Sequence, residues 1–294
     1  MTDTSTETDS ATDSGYLAWL TPTAETAEHP APEPSGLASP RPDTGTVDDG
    51  DPVVVVVAGA HGGSGSTVAT VMLALIAASE SAAPVIALDG TPVGGDLAAR
   101  APAAQRYPTY WQDWFVGDNA EPAALPDTGW CAIARDRALA EQHSPLADAV
   151  AALRAMGRSV IVDAGASVGS PWFEAVADLA DHIVITIDDR AGAANAARPV
   201  LSLLRQRLGA SQMGQSVQLV VTSQRPGVDH VTGPLADALA GRVAGVHHLP
   251  YDPEIAAGIE IDPALLSSSS FAAAHTVHTR THTHTHTHDA ASQR

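Results

Sequence analysis

Residues 52–79 read PVVVVVAGAHGGSGSTVATVMLALIAAS. Five consecutive valines, then Ala58 and Gly59, leave no polar face for water, so the stretch predicts a strand buried on both sides, as in the middle of a parallel sheet. A glycine-rich turn follows at once. From Thr67 to Ser79 the length and the Ala, Leu and Met content predict a mostly buried helix. Strand, glycine loop and helix in this order form a phosphate cradle: glycines let backbone N–H groups converge on an anion, the helix N-terminus adds partial positive charge, and Thr67 offers a hydroxyl to a metal ion. The cradle comprises His61, Gly62, Gly63, Ser64, Gly65, Ser66, Thr67 and Val68. The P-loop pattern places lysine immediately before the Ser/Thr, and this chain has Ser66 there. No lysine occurs in the 294 residues; the 15 basic residues are all arginine.

Working outward, Pro84–Asp89 predicts a second buried strand, and Gly94, Gly95 and Asp96 a turn that caps a short helix. Strands are expected at Trp130–Ala134, Ser159–Asp163, Asp181–Asp188 and Ser216–Ser223, with a last short one leading into LPYDPEIAAG (249–258). Helices are expected at Pro145–Met156, from the end of the Asp188 strand to about Leu208, and at Leu235–Ala240. This alternation predicts an α/β fold with a doubly wound, mainly parallel sheet. An apolar strand that ends in Asp163 is where a P-loop protein keeps the carboxylate that steers magnesium through water.

The net charge of −19 is uneven: residues 1–51 hold eleven acids against Arg41 alone. That leader is rich in Thr, Ser, Pro, Asp and Glu and has too few apolar residues to offset the entropy of ordering it, so it is expected to be disordered. The domain expectation is therefore a leader (1–51), a P-loop domain (52–266) and a low-complexity His/Thr tail (267–294), with both tails disordered. An acidic surface repels phosphate backbones, which argues against direct DNA binding. One cysteine, Cys131, cannot form an internal disulfide. The first residues are unlike a signal peptide, and no apolar run reaches the roughly 18 residues that span a bilayer. A cytoplasmic protein without a membrane span is the expectation. Inside the leader, GYLAWL carries Tyr16 and Trp19, read as a docking motif for a protein partner, an intramolecular latch or a chance cluster. Residues 107–130 hold half of the aromatics; Trp111 and Trp114 read either as a packed helix or as a partner surface of the kind favoured at interface hot spots.

With these motifs in place, residues 52–266 resemble the MinD/ParA family of P-loop ATPases, whose deviant Walker A motif is KGGxGK[ST]; the corresponding residues are His61 to Thr67. LDGTPVGG (88–95) is similar to the family's D-x-D-P segment, IVDAG (161–165) to its Walker B strand, LVVTSQRPG (219–227) to its base-side strand, and LPYDPEIAAG to its IPxD segment near the adenine. The resemblance implies that Gly62–Thr67 cradle phosphates, that Thr67 and Asp163 handle magnesium, and that Ser223, Pro250, Tyr251 and Asp252 lie near the base. It also implies departures: both signature lysines are replaced, by His61 and Ser66, and Thr91 replaces the acid associated with the hydrolytic water, which leaves Asp89 as a weak catalytic candidate. A lysine-less branch of the family, with pilus-assembly and septum-site localisation proteins, has a similar loop. A charged hydrogen bond to phosphate contributes roughly 1.5–3 kcal/mol, so losing one weakens binding about ten- to a hundredfold. The expected activity is weak binding of ATP with magnesium and little turnover, in a homodimerising or partner-binding module of an envelope, secretion, division or DNA-transfer system. The family's amphipathic membrane-targeting helix has no counterpart with a basic apolar face in the C-terminal sequence.

Three alternatives stay open on these residues. Arg41 or Arg100 replaces the lysine in an active ATPase. His282, His284, His286 and His288, alternating with Thr and sharing a face when extended, collect a nickel or zinc ion. Asp89, about 24 residues beyond Gly65, holds a ribose in a dinucleotide-binding Rossmann domain.

Overall fold

The computed structural model describes residues 51–283 apart from 82, 93–95, 116–124, 128, 138–145 and 191, and the side chains of 115, 172, 282 and 283. The leader with Tyr16 and Trp19, Arg41, Gly94, Gly95, His284, His286 and His288 lie outside the described residues.

The five-valine run forms β1 (Val54–Gly59), every residue of which is buried. It pairs in parallel with β4 (Ser159–Gly165) on one side and β5 (His182–Asp188) on the other. Outward from these lie β2 (Val85–Asp89) and β3 (Trp130–Ile133) on the β4 side, and β6 (Val217–Thr222) and β7 (Gly245–Leu249) on the β5 side. The result is a seven-stranded sheet of order β3-β2-β4-β1-β5-β6-β7, and every pairing is parallel. This is the α/β architecture that the alternation of strands and helices predicts.

Successive side chains of a strand point to opposite faces. Val53, Val55 and Val57 join the core beneath α1 (Ser66–Glu80), while Val54 and Val56, equally buried, face the other way. On that second side α3 (Leu146–Ala155) packs on α4 (Pro171–Ala177) and β4, and α5 (Ala193–Ser216) packs on β5 and β6. α5 breaks at Gly209 (φ 75°), one residue after the expected end at Leu208, and then resumes. α6 (Thr232–Leu239) borders β7. Beside α1 sits the short α2 (Leu97–Arg100), whose N-cap Asp96 accepts the Ala99 N–H, as expected of a capped turn; α7 (Pro253–Ala256) follows β7.

Two expectations are corrected here. Trp111 and Trp114 are no partner surface: they are 1% and 5% exposed. They lie on a 3-10 turn (Trp111–Phe115) rather than an α-helix, and the Trp111 indole donates to the Asp89 carbonyl at 2.8 Å. Buried indoles usually find such an acceptor; of the neighbouring aromatic Tyr110, 45% stays exposed.

The second correction concerns the tail. Residues 268–283 form α8 (Ser268–Thr283), which packs on α1 and β7. Ala274, Val277, His278 and Thr281 are buried and Phe271 packs against the same core, a helical spacing of three and four that an extended His/Thr alternation does not have. The helix is tied down at both ends of its contact. Asp252 Oδ2 accepts from the Ser267 N–H (2.9 Å) and the Ser270 hydroxyl (2.7 Å), and the Glu80 carboxylate on α1 meets His275 Nε2 (2.7 Å) and His278 Nε2 (3.3 Å). The apolar side of this C-terminal helix therefore faces the protein itself. Among the described residues no helix is long and apolar enough to cross a membrane.

Val277→Asp places a charge in that contact and is expected to lower unfolding stability by roughly 2–4 kcal/mol in urea titrations. Thr276→Asp, on the exposed side, is expected to change it by no more than about 0.5 kcal/mol.

Candidate phosphate-binding site

The carboxyl ends of β1, β4 and β5 open onto one edge of the sheet, where open α/β folds place ligands. The loop after β1 leaves Gly63 at φ 79° and Gly65 at φ 91°, both in the region that favours glycine. A Cβ added at Gly62 or Gly63 would meet nothing within 4 Å, so this wall of the loop is open, whereas one at Gly65 would press on Thr222 Cγ2 at 3.1 Å.

Neutral hydrogen bonds from the neighbouring strands hold the loop. Thr186 on β5 pairs its hydroxyl with that of buried Ser64 (3.0 Å) and takes the Ala60 N–H on its carbonyl. The Thr222 hydroxyl donates to the Ser64 carbonyl (2.9 Å), and Gln224 Nε2 to the Gly63 carbonyl. The sequence patterns single out none of Thr186, Thr222 and Gln224; the signal they do carry is a hydroxyl near the carboxyl end of both β5 and β6.

α1 starts at Ser66 without a side-chain cap, so its first N–H groups face the loop. One residue on, Thr67 Oγ1 donates to Asp163 Oδ2 at 2.6 Å. Asp163 lies where β4 bulges: Val57 is level with Asp163 but Ala58 is level with Gly165. The extra residue bends β4 beside the loop, and the Gly165 N–H closes back on Asp163 Oδ1 at 3.0 Å. Burial pushes the Asp163 carboxyl up from 3.8 to about 6; the Thr67 hydroxyl pulls it down, and nearby Asp89 pushes it up further. Asp89 is level with Asp163 on the adjacent β2. Its Oδ1 accepts the Thr91 N–H (2.9 Å) and hydroxyl (2.6 Å), and Arg137 approaches Oδ2 at 3.9 Å. Burial raises the Asp89 carboxyl above its ordinary value against the pull of the Thr91 hydrogen bonds. The structure thus brings Thr67, Asp163 and Asp89 together at one side of the loop.

On the other side His61 Nε2 lies 3.5 Å from Oδ2 of buried Asp188, the last residue of β5. Arg190 bonds the same oxygen through Nε and Nη2, and its backbone N–H reaches Oδ1 at 3.1 Å.

The expected base-side residues divide. Ser223 pairs its hydroxyl with His248 Nε2 (2.9 Å). Pro250 and Tyr251, half-buried, follow β7. Asp252 caps α7 through Glu254 N–H and anchors α8 through Ser267 and Ser270. Burial opposes its charge, but the hydrogen bonds from Ser267, Ser270 and Glu254 prevail and hold its carboxyl below the ordinary range. Arg100 does not supply the missing charge at the loop: its guanidinium donates to the carbonyls of Ile259 (2.6 Å) and Ile255 (2.7 Å).

The dinucleotide alternative fails on strand order. Its Rossmann sheet runs 3-2-1-4-5-6, with the second strand against the first. Here β4 lies between β1 and β2, so the carboxylate next to the glycine loop is Asp163, and Asp89 stands one strand further out. The nickel or zinc alternative rests on side chains outside the described residues; among the described residues no group of three His, Cys, Asp or Glu side chains is placed to hold a metal ion.

No family model and no curated protein sequence matches this chain. Solved structures do. The cell division ATPase MinD of Pyrococcus furiosus superposes with a TM-score of 0.59 at 14% identity, over 78% of this chain and 97% of that one. A chain of the MinC:MinD cell division protein complex of Aquifex aeolicus gives 0.58 at 18%, over 78% and 95%. A plasmid partition protein of Borrelia burgdorferi bound to AMPPNP gives 0.51 at 11%, over 79% and 98%. The chain has the fold of the MinD/ParA P-loop ATPases.

The Asp163 carboxyl has a pH signature. Its folded value of about 6 stands above the ordinary 3.8. The folded state therefore holds this proton more tightly, and the associated stability is full below about pH 4 and lost as pH rises through 6. Asp163→Asn removes this contribution, so the stability of the wild type relative to the variant is expected to fall between pH 4 and 6.5 in urea titrations at stepped pH.

Proposed function

We propose that this chain is a MinD/ParA-type nucleotide-binding protein that takes ATP with magnesium weakly and turns it over little, serving as a positioning or regulatory module for a protein partner. The observation that carries the reading is the Thr67–Asp163 pair, 2.6 Å apart, at the foot of an open glycine loop on this fold.

The residues suit the ligand they would hold. The glycine loop has room for phosphate along Gly62 and Gly63, and the uncapped first turn of α1 supplies N–H groups. Thr67 and Asp163 form an oxygen donor set of the kind that receives hydrated magnesium, with Thr67 as ligand and Asp163 acting through water. Bound magnesium would neutralise phosphate charge. Gly62–Val68 cradle the phosphates in this reading, with Ser223, Pro250 and Tyr251 on the base side. The absence of lysine argues for weak affinity, and Thr91 in place of an acid argues for slow hydrolysis, because such groups act on transition-state charge. Asp89, bonded to Thr91 and raised by burial, is the carboxylate left on that side.

The partner role draws on the fold, since one neighbour is a cell division complex of two proteins. Homodimerisation belongs to the same proposal. Tyr16 and Trp19 remain the contact candidates now that Trp111 and Trp114 are core residues. Direct DNA binding is disfavoured by the net charge of −19.

Calorimetric titration of the full chain with ATP and magnesium tests the reading. Binding between micromolar and millimolar that Gly65→Asp abolishes is expected, with phosphate release no faster than in that variant. No heat up to millimolar ATP would sink it.

A further inference from the structure

We propose that Arg190 supplies the positive charge that the lysine-less loop lacks, moving from the Asp188 carboxylate to the terminal phosphates of a bound nucleoside di- or triphosphate. The inference rests on reading the loop as a phosphate cradle and names the residue that completes it.

Every cation available to an anion in this chain is an arginine, a histidine or the amino terminus. Several arginines are engaged away from the loop: Arg100 with backbone carbonyls, Arg106 with Glu260, Arg154 with Asp181, Arg158 with Asp127, and Arg207 with Glu174 and Asp178. Arg137 faces Asp89 at the end of β2, and β4 separates that strand from β1. Arg190 follows β5, which pairs directly with β1. The segment that carries it therefore leaves the sheet beside the loop.

The link to the loop is a single atom. Asp188 Oδ2 takes both the Arg190 guanidinium and, at 3.5 Å, His61 Nε2, the first residue of the glycine motif. Asp188 is buried and held from both sides, while the Arg190 side chain is 74% exposed. Its Nε and Nη2 engage Asp188, which leaves other N–H groups of the fork directed elsewhere. A guanidinium so placed offers the planar, two-pronged donor geometry that suits phosphate. Asp188 acts as the resting counter-ion: it holds the arginine near the loop, and an incoming phosphate competes for the same donors. Because the arginine is exposed, releasing it exposes no buried cation.

The test is calorimetry with ATP, ADP and AMP, each with magnesium, on the full chain and on Arg190→Ala, Arg190→Lys, Arg137→Ala and Gly65→Asp. Arg190→Ala is expected to weaken ATP about ten- to a hundredfold and to narrow the preference for ATP over AMP. Arg190→Lys should recover part of the loss; Arg190→Ala, which leaves buried Asp188 without its guanidinium, is expected to lower the unfolding temperature somewhat, and Arg190→Lys to lower it less. ATP binding that Gly65→Asp abolishes but Arg190→Ala leaves intact would overturn the assignment while the nucleotide reading stands. A loss carried by Arg137→Ala instead of Arg190→Ala would overturn it equally. No ATP binding by the wild-type chain would overturn both.

Discussion

A run of valines with no polar face can be buried only where protein covers both sides of a strand, and that constraint puts β1 in the interior of the sheet, between β4 and β5. Parallel pairing then brings the ends of all three strands to the same edge. Gly59, Gly165 and Asp188, far apart in sequence, converge around the glycine loop for that reason alone. The bulge in β4 belongs to the same geometry. It lets the strand stay level with β1 up to Asp163 and then bend, so that the carboxylate meets Thr67 at the first turn of α1.

The loop is organised without a charge of its own, apart from what His61 can carry. Thr186, Thr222 and Gln224 hold its backbone in place through neutral hydrogen bonds. Charges are kept at the margins, Asp89 with Arg137 on one side and Asp188 with Arg190 on the other. Burial makes Asp89 and Asp163 costly to charge, most clearly Asp163, where the Thr67 and Gly165 hydrogen bonds offset only part of the penalty. A magnesium ion or an arginine is the kind of partner that relieves such a penalty. The arrangement is thus poised toward cations on its carboxylate side and toward anions at its backbone N–H groups.

α8 shows how a low-complexity sequence becomes structure. Histidine and threonine are indifferent helix formers, and nothing in a His/Thr alternation demands a helix. The apolar residues that precede it, Phe271, Ala274 and Val277, have a face to bury on α1, and Asp252 captures the start of the helix through Ser267 and Ser270. Once the helix has begun there, His275 and His278 fall one turn apart and reach the same Glu80 carboxylate. Asp252 is engaged as a cap of α7 and an anchor of α8.

The sequence by itself determined the layered α/β fold, the position of the glycine loop and the strand that carries Asp163. Local patterns carry these features: apolar runs of strand length, helical runs after them, and glycines where only glycine adopts the backbone. Tertiary structure decided what local pattern cannot encode. Trp111 could serve as a contact or as core until the Asp89 carbonyl was found beneath its indole. Asp89 could serve a ribose until strand order placed β4 between it and the loop. That Arg190 leaves the sheet beside the loop follows from β5 being a neighbour of β1. Burial and proximity are properties of the assembled sheet, set by contacts between residues more than a hundred positions apart, and so they appear only once the chain has folded.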